Sequence, residues 1–584
     1  MSLSTAPTAT DRSRARNRVQ GRAGRPLDAA RRTWSGALLL FFGCLAFYML
    51  NLDRMPHPDE LHHVLAARSL LETGEPRIAE GLYTRGLAYS WMVAASFWAF
   101  GEGLAQARLP SVLCMALLVP LVFLWLRSQA GPLAAWTGAL LLATSPFAVE
   151  IAQFSRFYAP QTLLFFVGAV LVHAGFAPLR ESGRAPFDPG RRGLLLAAGA
   201  VALLGAIYFQ QTSLFGVLGI GVWVGCIVLP WLFGSGEPFV AITPRIRRLA
   251  AAALPPLAVA VFVLAWWLGF IDHIVELYRW APVFNQSRAD EFWFYFVSYF
   301  LFYPTLWTLS GLLVLAAAGR WPRPTWFALS VFVVSFLLNS FAAAKATRYL
   351  AYAQPFLFVL WGMGLAATVP FVARLLAELR DGLTQSVKGP SILVRRRLAG
   401  GLLATALLIV LLANPFWLRS ASMMADIAIP PEKPTTNWPA ARAALTPWLE
   451  EAEIVVTTEE LGTLYFLGRY DIRYSPSKLG ELEQATGQPV AVDPRTGRPV
   501  IAGLEEMEVV LDCFASGLLL GPIESWGAPE LIDRDLVALL ERRTRAVELP
   551  ERSHMFARVW RHPPRSGGDP ACAPLENLLA GRSP

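Results

Sequence analysis

Three of the seven histidines in this 584-residue chain stand beside two adjacent carboxylates, in Pro56-His57-Pro58-Asp59-Glu60-Leu61-His62-His63, directly after the first long apolar run. Such a set can bind a metal, act as an acid and base, or form a solvated polar loop. Two prolines stiffen its entry, and Asp59 is placed as the N-cap of a helix running through ELHHVLAARSLLETG to Gly74. On that helix His62 and His63 follow Asp59 by three and four residues, which brings an imidazole near the carboxylate.

Cations in apolar settings form the second group. EIAQFSRFYAP contains Arg156 and Tyr158, and AAAKATRYLAY contains Lys345, Arg348 and Tyr349. Lys345 is one of four lysines and the only one before residue 388. Cations at the membrane edge are costly and usually face protein or ligand. A carboxylate pair in one loop with cations in others suits a reaction whose leaving group is a lipid-anchored phosphate. The cations would hold the phosphate and stabilise its charge as the bond to a sugar breaks. A carboxylate would take the proton of an attacking hydroxyl or amine. A divalent metal on Asp59, Glu60, His62 or His63 is compatible with this chemistry but not required by it. The structural alternative makes Asp59 a cap and pairs Arg156 and Arg348 with Glu150, Asp272 or lipid phosphate.

These residues need elements to position them, and composition says which. The chain is 54% hydrophobic and 16% charged, with mean hydropathy +0.43, against roughly 25% charged in soluble domains. It reads as a polytopic membrane protein. Apolar runs predict about eleven transmembrane helices, near 34–52, 110–126, 133–149, 160–178, 193–211, 213–232, 249–270, 293–315, 325–343, 350–369 and 399–417. The first run is long and lacks a small-residue cleavage site, so it reads as an uncleaved helix. GLAYSWMVAASFWAFG, residues 86–101, is too short to span and reads as an interfacial or re-entrant helix.

Charge asymmetry orients the chain. Residues 1–33 form a basic, disordered tail with Arg12, Arg14, Arg16, Arg18, Arg22, Arg25, Arg31 and Arg32, expected in the cytoplasm by the positive-inside rule. Alternate loops then hold Arg180, Arg184, Arg191 and Arg192, or Arg245, Arg247 and Arg248, with few acids. The opposite loops mix acids and bases. The net charge of +8 is therefore topogenic, and nucleic acid is not an expected partner. The first outer loop covers 53–109, the membrane domain 34–417, and the polar residues 418–584 a soluble outer domain.

Within that domain EIVVTT (453–458) and MEVVLDC (507–513) read as buried strands, and ELGTLYFLG and DLVALLERR as helices, which predicts an α/β fold. Cys513 and Cys572 both fall there, where a disulfide is compatible with an oxidising compartment. His554 and His562 have no ligand partners at useful spacing and read as surface residues.

With PDELHHVLAARSLLETGE, the GLAYSWMVAASFWAFG helix leading to ARLPSV, SRFYA, KATRYLAYAQPF and the C-terminal outer domain in this order, the chain resembles the GT-C integral-membrane glycosyltransferases. Within that superfamily it is similar to bacterial relatives of the protein O-mannosyltransferases and of the lipid A aminoarabinose transferase. The resemblance implies a polyprenyl-phosphate-linked sugar donor, transfer on the periplasmic side of the inner membrane and inversion at the anomeric carbon. It also implies Asp59 as the catalytic loop-one acid with Glu60 its neighbour, and Arg156, Tyr158, Lys345, Arg348 and Tyr349 near the donor phosphate. At Tyr83-Thr84-Arg85-Gly86 the chain departs from the Glu-Lys-Pro-Pro type segment of the aminoarabinose transferases, with Arg85 left to contact phosphate. The acceptor is a lipid, glycan or protein. A transporter or flippase of a lipid-linked saccharide is the alternative, and predicts polar groups near the midplane.

Overall fold

The computed structural model describes residues 26–176, 189–235, 243–267, 292–342, 345–368, 414–425, 435–486, 491–529, 531–563 and 572–580, with 269, 272 and 427. The chain is a polytopic helical membrane protein carrying a C-terminal α/β domain. Among the described residues, six helices are long and apolar enough to cross a membrane: Leu104–Ala130, Tyr158–Gly175, Gly190–Phe209, Ser213–Leu232, Pro244–Leu264 and Pro322–Phe341. Large side chains such as Leu194, Val201, Leu204, Leu218 and Val222 are exposed along two of them, as suits a surface solvated by lipid rather than water.

Several expected spans are broken, and two of the breaks fall at a proline, Pro146 and Pro304. Pro132–Ala143 and Pro146–Ala152 meet at a 60° bend, and together they make a seventh candidate span. Pro146 has no N–H to continue the ladder and biases Ser145 away from helical geometry. The run expected at 293–315 divides into Phe294–Phe302, Pro304–Thr308 and Ser310–Arg320. The run expected at 350–369 is the shorter helix Gln354–Thr368, entered through a 3-10 turn, Thr347–Leu350. The first helix covers Pro26–Tyr48. The run expected at 399–417 lies outside the described residues up to 413.

The segment expected as the first outer loop, 53–109, has regular structure. It contains the helix Pro58–Thr73, a small antiparallel hairpin of β1 (Arg77–Ile78) and β2 (Gly81–Leu82), and the apolar helix Leu87–Phe100, which is too short to span.

The C-terminal domain, expected on the outer face, has a seven-stranded sheet in the order β5-β6-β4-β3-β7-β9-β8. Its strands are β3 (Ile454–Thr457), β4 (Ile472–Tyr474), β5 (Ala491–Asp493), β6 (Arg498–Ile501), β7 (Ser516–Pro522), β8 (Arg545–Ala546) and β9 (Met555–Arg561). β6, β4, β3 and β7 are parallel, while β5, β9 and β8 are antiparallel to their neighbours. Alternation along the strands feeds two cores. Ile454, Val456 and Leu519 pack with Met507, Val510, Leu511, Leu536 and Leu540 on one face. Val455, Leu518 and Leu520 pack with Trp438, Ala441 and Leu445 on the other.

The segment Met507–Cys513, expected as a strand, is the end of a helix, Leu504–Cys513. Met507, Val510 and Leu511 recur at i, i+3 and i+4, and this periodicity prevails over the local Val-Val β propensity. The strand expected at 453–458 is β3, and the two expected helices are Glu460–Leu467 and Arg534–Arg543. Cys513 and Cys572 form a disulfide.

The outer domain rests on the first outer loop through the turn between β5 and β6. The Glu80 N–H donates to the Thr496 carbonyl at 3.1 Å, and its carboxylate accepts from Arg498 Nε and Nη2 at 2.9 and 3.0 Å. A Cβ on Gly81 would sit 2.4 Å from the Arg495 carbonyl carbon, so the two backbones meet only because residue 81 is glycine.

Candidate active site

His57, not Asp59, caps the first-loop helix. Its Nδ1 accepts from the Asp59 N–H at 3.1 Å, and the Glu60 carboxylate accepts from the His57 N–H at 2.9 Å, a capping box with Pro58 at the first helical position. The consequence is chemical. Asp59 is released from capping, and its Oδ2 accepts instead from Arg348 Nη2 at 3.0 Å.

Glu60 points elsewhere. Its two oxygens accept from Arg108 Nε and Nη2, both at 2.8 Å, and from the Ser155 N–H at 2.8 Å. Arg108 Nη1 donates to the Leu52 and Arg54 carbonyls at 2.6 and 2.9 Å. Both side chains are buried, at 1% and 3% exposure. Burial alone would raise the Glu60 pKa, but the Arg108 charge and hydrogen bonds bring it below its ordinary value. Expected as a second catalytic carboxylate, Glu60 is engaged by His57, Arg108 and Ser155 and holds the start of its helix in place. Arg108, in the ARLPSV segment, is a residue whose part the sequence reading missed.

Three arginines converge near Asp59. Arg156 is buried, and its Nη1 donates to the Asp59 carbonyl at 3.0 Å and to the Tyr83 hydroxyl at 3.1 Å. Arg85 and Arg156 both lie over the Phe157 ring, at 5.7 and 5.1 Å. Arg348 lies over Phe154 and Tyr349. Tyr158 is buried and stacks on Phe154, with Tyr349 6.3 Å away, so these two tyrosines build the aromatic wall behind Arg348.

A fourth cation comes from the outer domain. Arg495 is held by the buried Asp493, with Nη2 2.6 Å from Oδ2, and its Nη1 donates to His62 Nε2 at 3.3 Å. His62 stacks on Tyr83, and its Nδ1 lies 3.2 Å from the Asp59 carbonyl. Asp59, His62, Arg85, Arg156 and Arg495 line one cleft of about 340 Å³ with Tyr83, Thr84, Leu82 and Pro494.

Electrostatics fix the charge states. Burial pushes the Asp59 carboxyl up, but Arg156 and Arg348 outweigh it and hold the group below its usual range. Burial, then the Arg156 and Arg495 charges, push His62 well below its ordinary value, and burial also lowers His57. An ionised Asp59 among neutral imidazoles and guanidinium groups is the result near neutral pH.

Two expectations need correction. Lys345 is buried and its Nζ donates to the Ser340 carbonyl at 2.6 Å and to the Ala342 carbonyl, so it closes the C-terminus of the helix Pro322–Phe341. It does not line the cleft. The metal set is not assembled either: Glu60 is engaged by Arg108, and His63 is buried with Nδ1 on Ser90 Oγ at 2.9 Å. Among the described residues no group of three or more His, Cys, Asp or Glu side chains could hold a metal ion. Asp59, Glu60, His62 and His63 thus do not fit a metal centre.

The chain matches no protein-family model and no curated protein. In structure it is similar to ArnT from Cupriavidus metallidurans bound to undecaprenyl phosphate, with a TM-score of 0.54 at 14% identity, covering 92% of this chain and 98% of that one. It is also similar to ArnT from the same organism in the apo state, with a TM-score of 0.53 at 14% identity, covering 91% and 98%. ArnT is the lipid A aminoarabinose transferase, a GT-C glycosyltransferase. From its membrane helices to its C-terminal α/β domain, this chain has the GT-C fold.

Proposed function

We propose that the chain is a membrane glycosyltransferase that moves a sugar from a polyprenyl-phosphate donor to a hydroxyl or amine acceptor on a lipid, glycan or protein, with inversion, at the periplasmic face of the bacterial inner membrane. One observation carries this reading. Asp59 is the sole carboxylate among the described residues lining a cleft whose other charged members are Arg85, Arg156 and Arg495, with Arg348 bonded to it from behind.

The acceptor oxygen or nitrogen attacks the anomeric carbon, the bond from that carbon to the phosphate oxygen breaks, and its electron pair leaves with the phosphate. Asp59 receives the acceptor proton. Arg85, Arg156 and Arg348 face the growing phosphate charge, which is the interaction that strengthens in the transition state. His57 and His62, both neutral, orient the helix start and Arg495. Tyr158 and Tyr349 support Arg348. No step here passes through a metal.

ArnT bound to undecaprenyl phosphate has the same fold and supports the donor class. The arginine-rich N-terminus supports a cytoplasmic tail, and the Cys513–Cys572 disulfide suits an outer domain in an oxidising compartment.

Asp59→Asn tests the assignment, because it removes the proton acceptor with little change of shape. Transfer should be abolished while the donor still binds. Full turnover in that variant would sink the reading.

A further inference from the structure

The order of the parallel strands places a second cavity at a defined point of the outer sheet. From β3 the chain moves outward to β4 and β6, then returns to the other side of β3 for β7. The sheet therefore has a topological switch point between β3 and β7, and ligands of open α/β sheets bind outside the carboxyl ends of the strands at such a point. Glu459 follows β3, Pro522, Ile523 and Glu524 end and follow β7, and His554 precedes β9 at the same edge. All five line a crevice of about 690 Å³. This volume falls within the roughly 300–1,000 Å³ of small-molecule sites.

The opposite wall belongs to the membrane domain. His57, Glu150, Phe154 and Arg348 line it, together with Arg54. Arg348 is also the side chain bonded to Asp59, so it forms the partition between this crevice and the arginine cleft. Inverting displacement requires nucleophile and leaving group on opposite faces of the anomeric carbon. A phosphate among Arg85 and Arg156 leaves the crevice as the side from which an acceptor approaches Asp59.

We infer that this switch-point crevice is the acceptor subsite and that its occupant is a saccharide offering a hydroxyl. The inference rests on the proposed function and adds the acceptor class to it. Glu524, Thr435, Thr436 and His554 present polar groups suited to a rim of hydroxyls, and Trp438 and Phe154 present apolar surface suited to the C–H faces of a sugar ring.

Charge and geometry argue against other acceptors. The lining carries both signs: Arg54, and Arg348 shared with Asp59, stand with Glu150 and Glu524, while Glu60 is neutralised by Arg108 and burial raises Glu459 to about 8. A lining of mixed sign favours a neutral polyol over an anion. Peptides commonly dock by adding a strand to a sheet edge. The edges here are β5 and β8, whereas the crevice lies at the central strands β3 and β7. His554 and Glu524 thus acquire a use that spacing in the sequence did not suggest.

The test titrates the full-length chain in detergent with methyl α-mannoside, methyl β-glucoside, methyl β-galactoside, N,N′-diacetylchitobiose, a Ser/Thr-containing hexapeptide and undecaprenyl phosphate. Saturation-transfer NMR reads the first five, and lipid co-purification reads the last. At least one sugar should bind the wild type, with affinity reduced on the order of ten-fold in Glu524→Ala, for loss of a charged hydrogen-bond acceptor, and likewise in the cavity-filling Thr436→Trp. Undecaprenyl phosphate binding should be unchanged in both variants, which also reports that they fold. No sugar binding, equal sugar binding in wild type and both variants, or capture of the hexapeptide in place of sugars would overturn the acceptor site and leave the proposed function standing. Failure of undecaprenyl phosphate to bind the wild type would overturn the proposed function and the acceptor assignment together.

Discussion

Asp59 and Lys345 illustrate how residue type and residue partner differ as information. Both stood out in the sequence, one as a carboxylate after an apolar run and the other as a rare lysine at a membrane edge. Folding gives them different fates: Asp59 reaches the arginine cleft, while the Lys345 ammonium turns back onto the Ser340 and Ala342 carbonyls. Lys345→Met should accordingly lower thermal stability and leave donor affinity unchanged, a pair of readouts that a phosphate-binding lysine would reverse. Arg348→Ala should reduce kcat by a factor on the order of 10²–10³, the cost of removing one preorganised donor from a developing negative charge. Unaltered turnover would return Arg348 to a structural role. Side-chain types were legible from the sequence because chemistry is local. Partners such as Arg108 for Glu60 were not, since they lie 48 positions apart and meet only in the folded loop.

At the scale of elements, the helix Pro58–Thr73 is the part that positions the site. Its capping box takes His57 and Glu60, Arg108 locks that end against the start of the helix Leu104–Ala130, and the Ser155 N–H ties it to the segment before Tyr158. Breaking a buried pair by removing one partner leaves an uncompensated charge, so Arg108→Ala or Glu60→Gln should each cost about 3–5 kcal/mol. Thermal unfolding of the detergent-solubilised protein would measure this, and a double Glu60→Gln, Arg108→Met variant should recover part of the loss. The helix itself was legible because Pro58, the acidic first turn and Gly74 punctuate it. Its cap was misassigned because Asp59 is the commoner capping residue, while the spacing from His57 to Glu60 decides the geometry. Met507–Cys513 was misread for a related reason, with β-branched identity outweighed by helical spacing of the buried face.

For the whole molecule, composition made the division into membrane and outer parts legible, and the breaks at Pro146 and Pro304 explain why counting apolar runs overstates the number of uninterrupted helices. What composition could not convey is the docking of the outer domain at Gly81 and Glu80, which brings Arg495 to the cleft and the switch point to Arg348. Glu459, which lines the crevice at that switch point, gives the fold a pH dependence. Burial, with the Glu460 charge, raises its carboxyl from 4.5 to about 8. The native state therefore holds a proton that the unfolded chain releases, so the contribution is fully present below about 4.5 and lost as pH rises to about 8. The difference in melting temperature between wild type and Glu459→Gln should shift against the wild type across this window and stay level above it. A constant difference would place Glu459 in solvent.

The central claim is that the arginines around Asp59 hold a polyprenyl-phosphate sugar, and the most direct measurement is mass spectrometry of lipids that co-purify with the wild type and with an Arg156→Ala, Arg348→Ala double variant. The account predicts a polyprenyl-phosphate sugar with the wild type and its loss from the variant, with the mass identifying the sugar. Equal recovery from both proteins, or its absence from the wild type purified from membranes that contain it, would contradict the account.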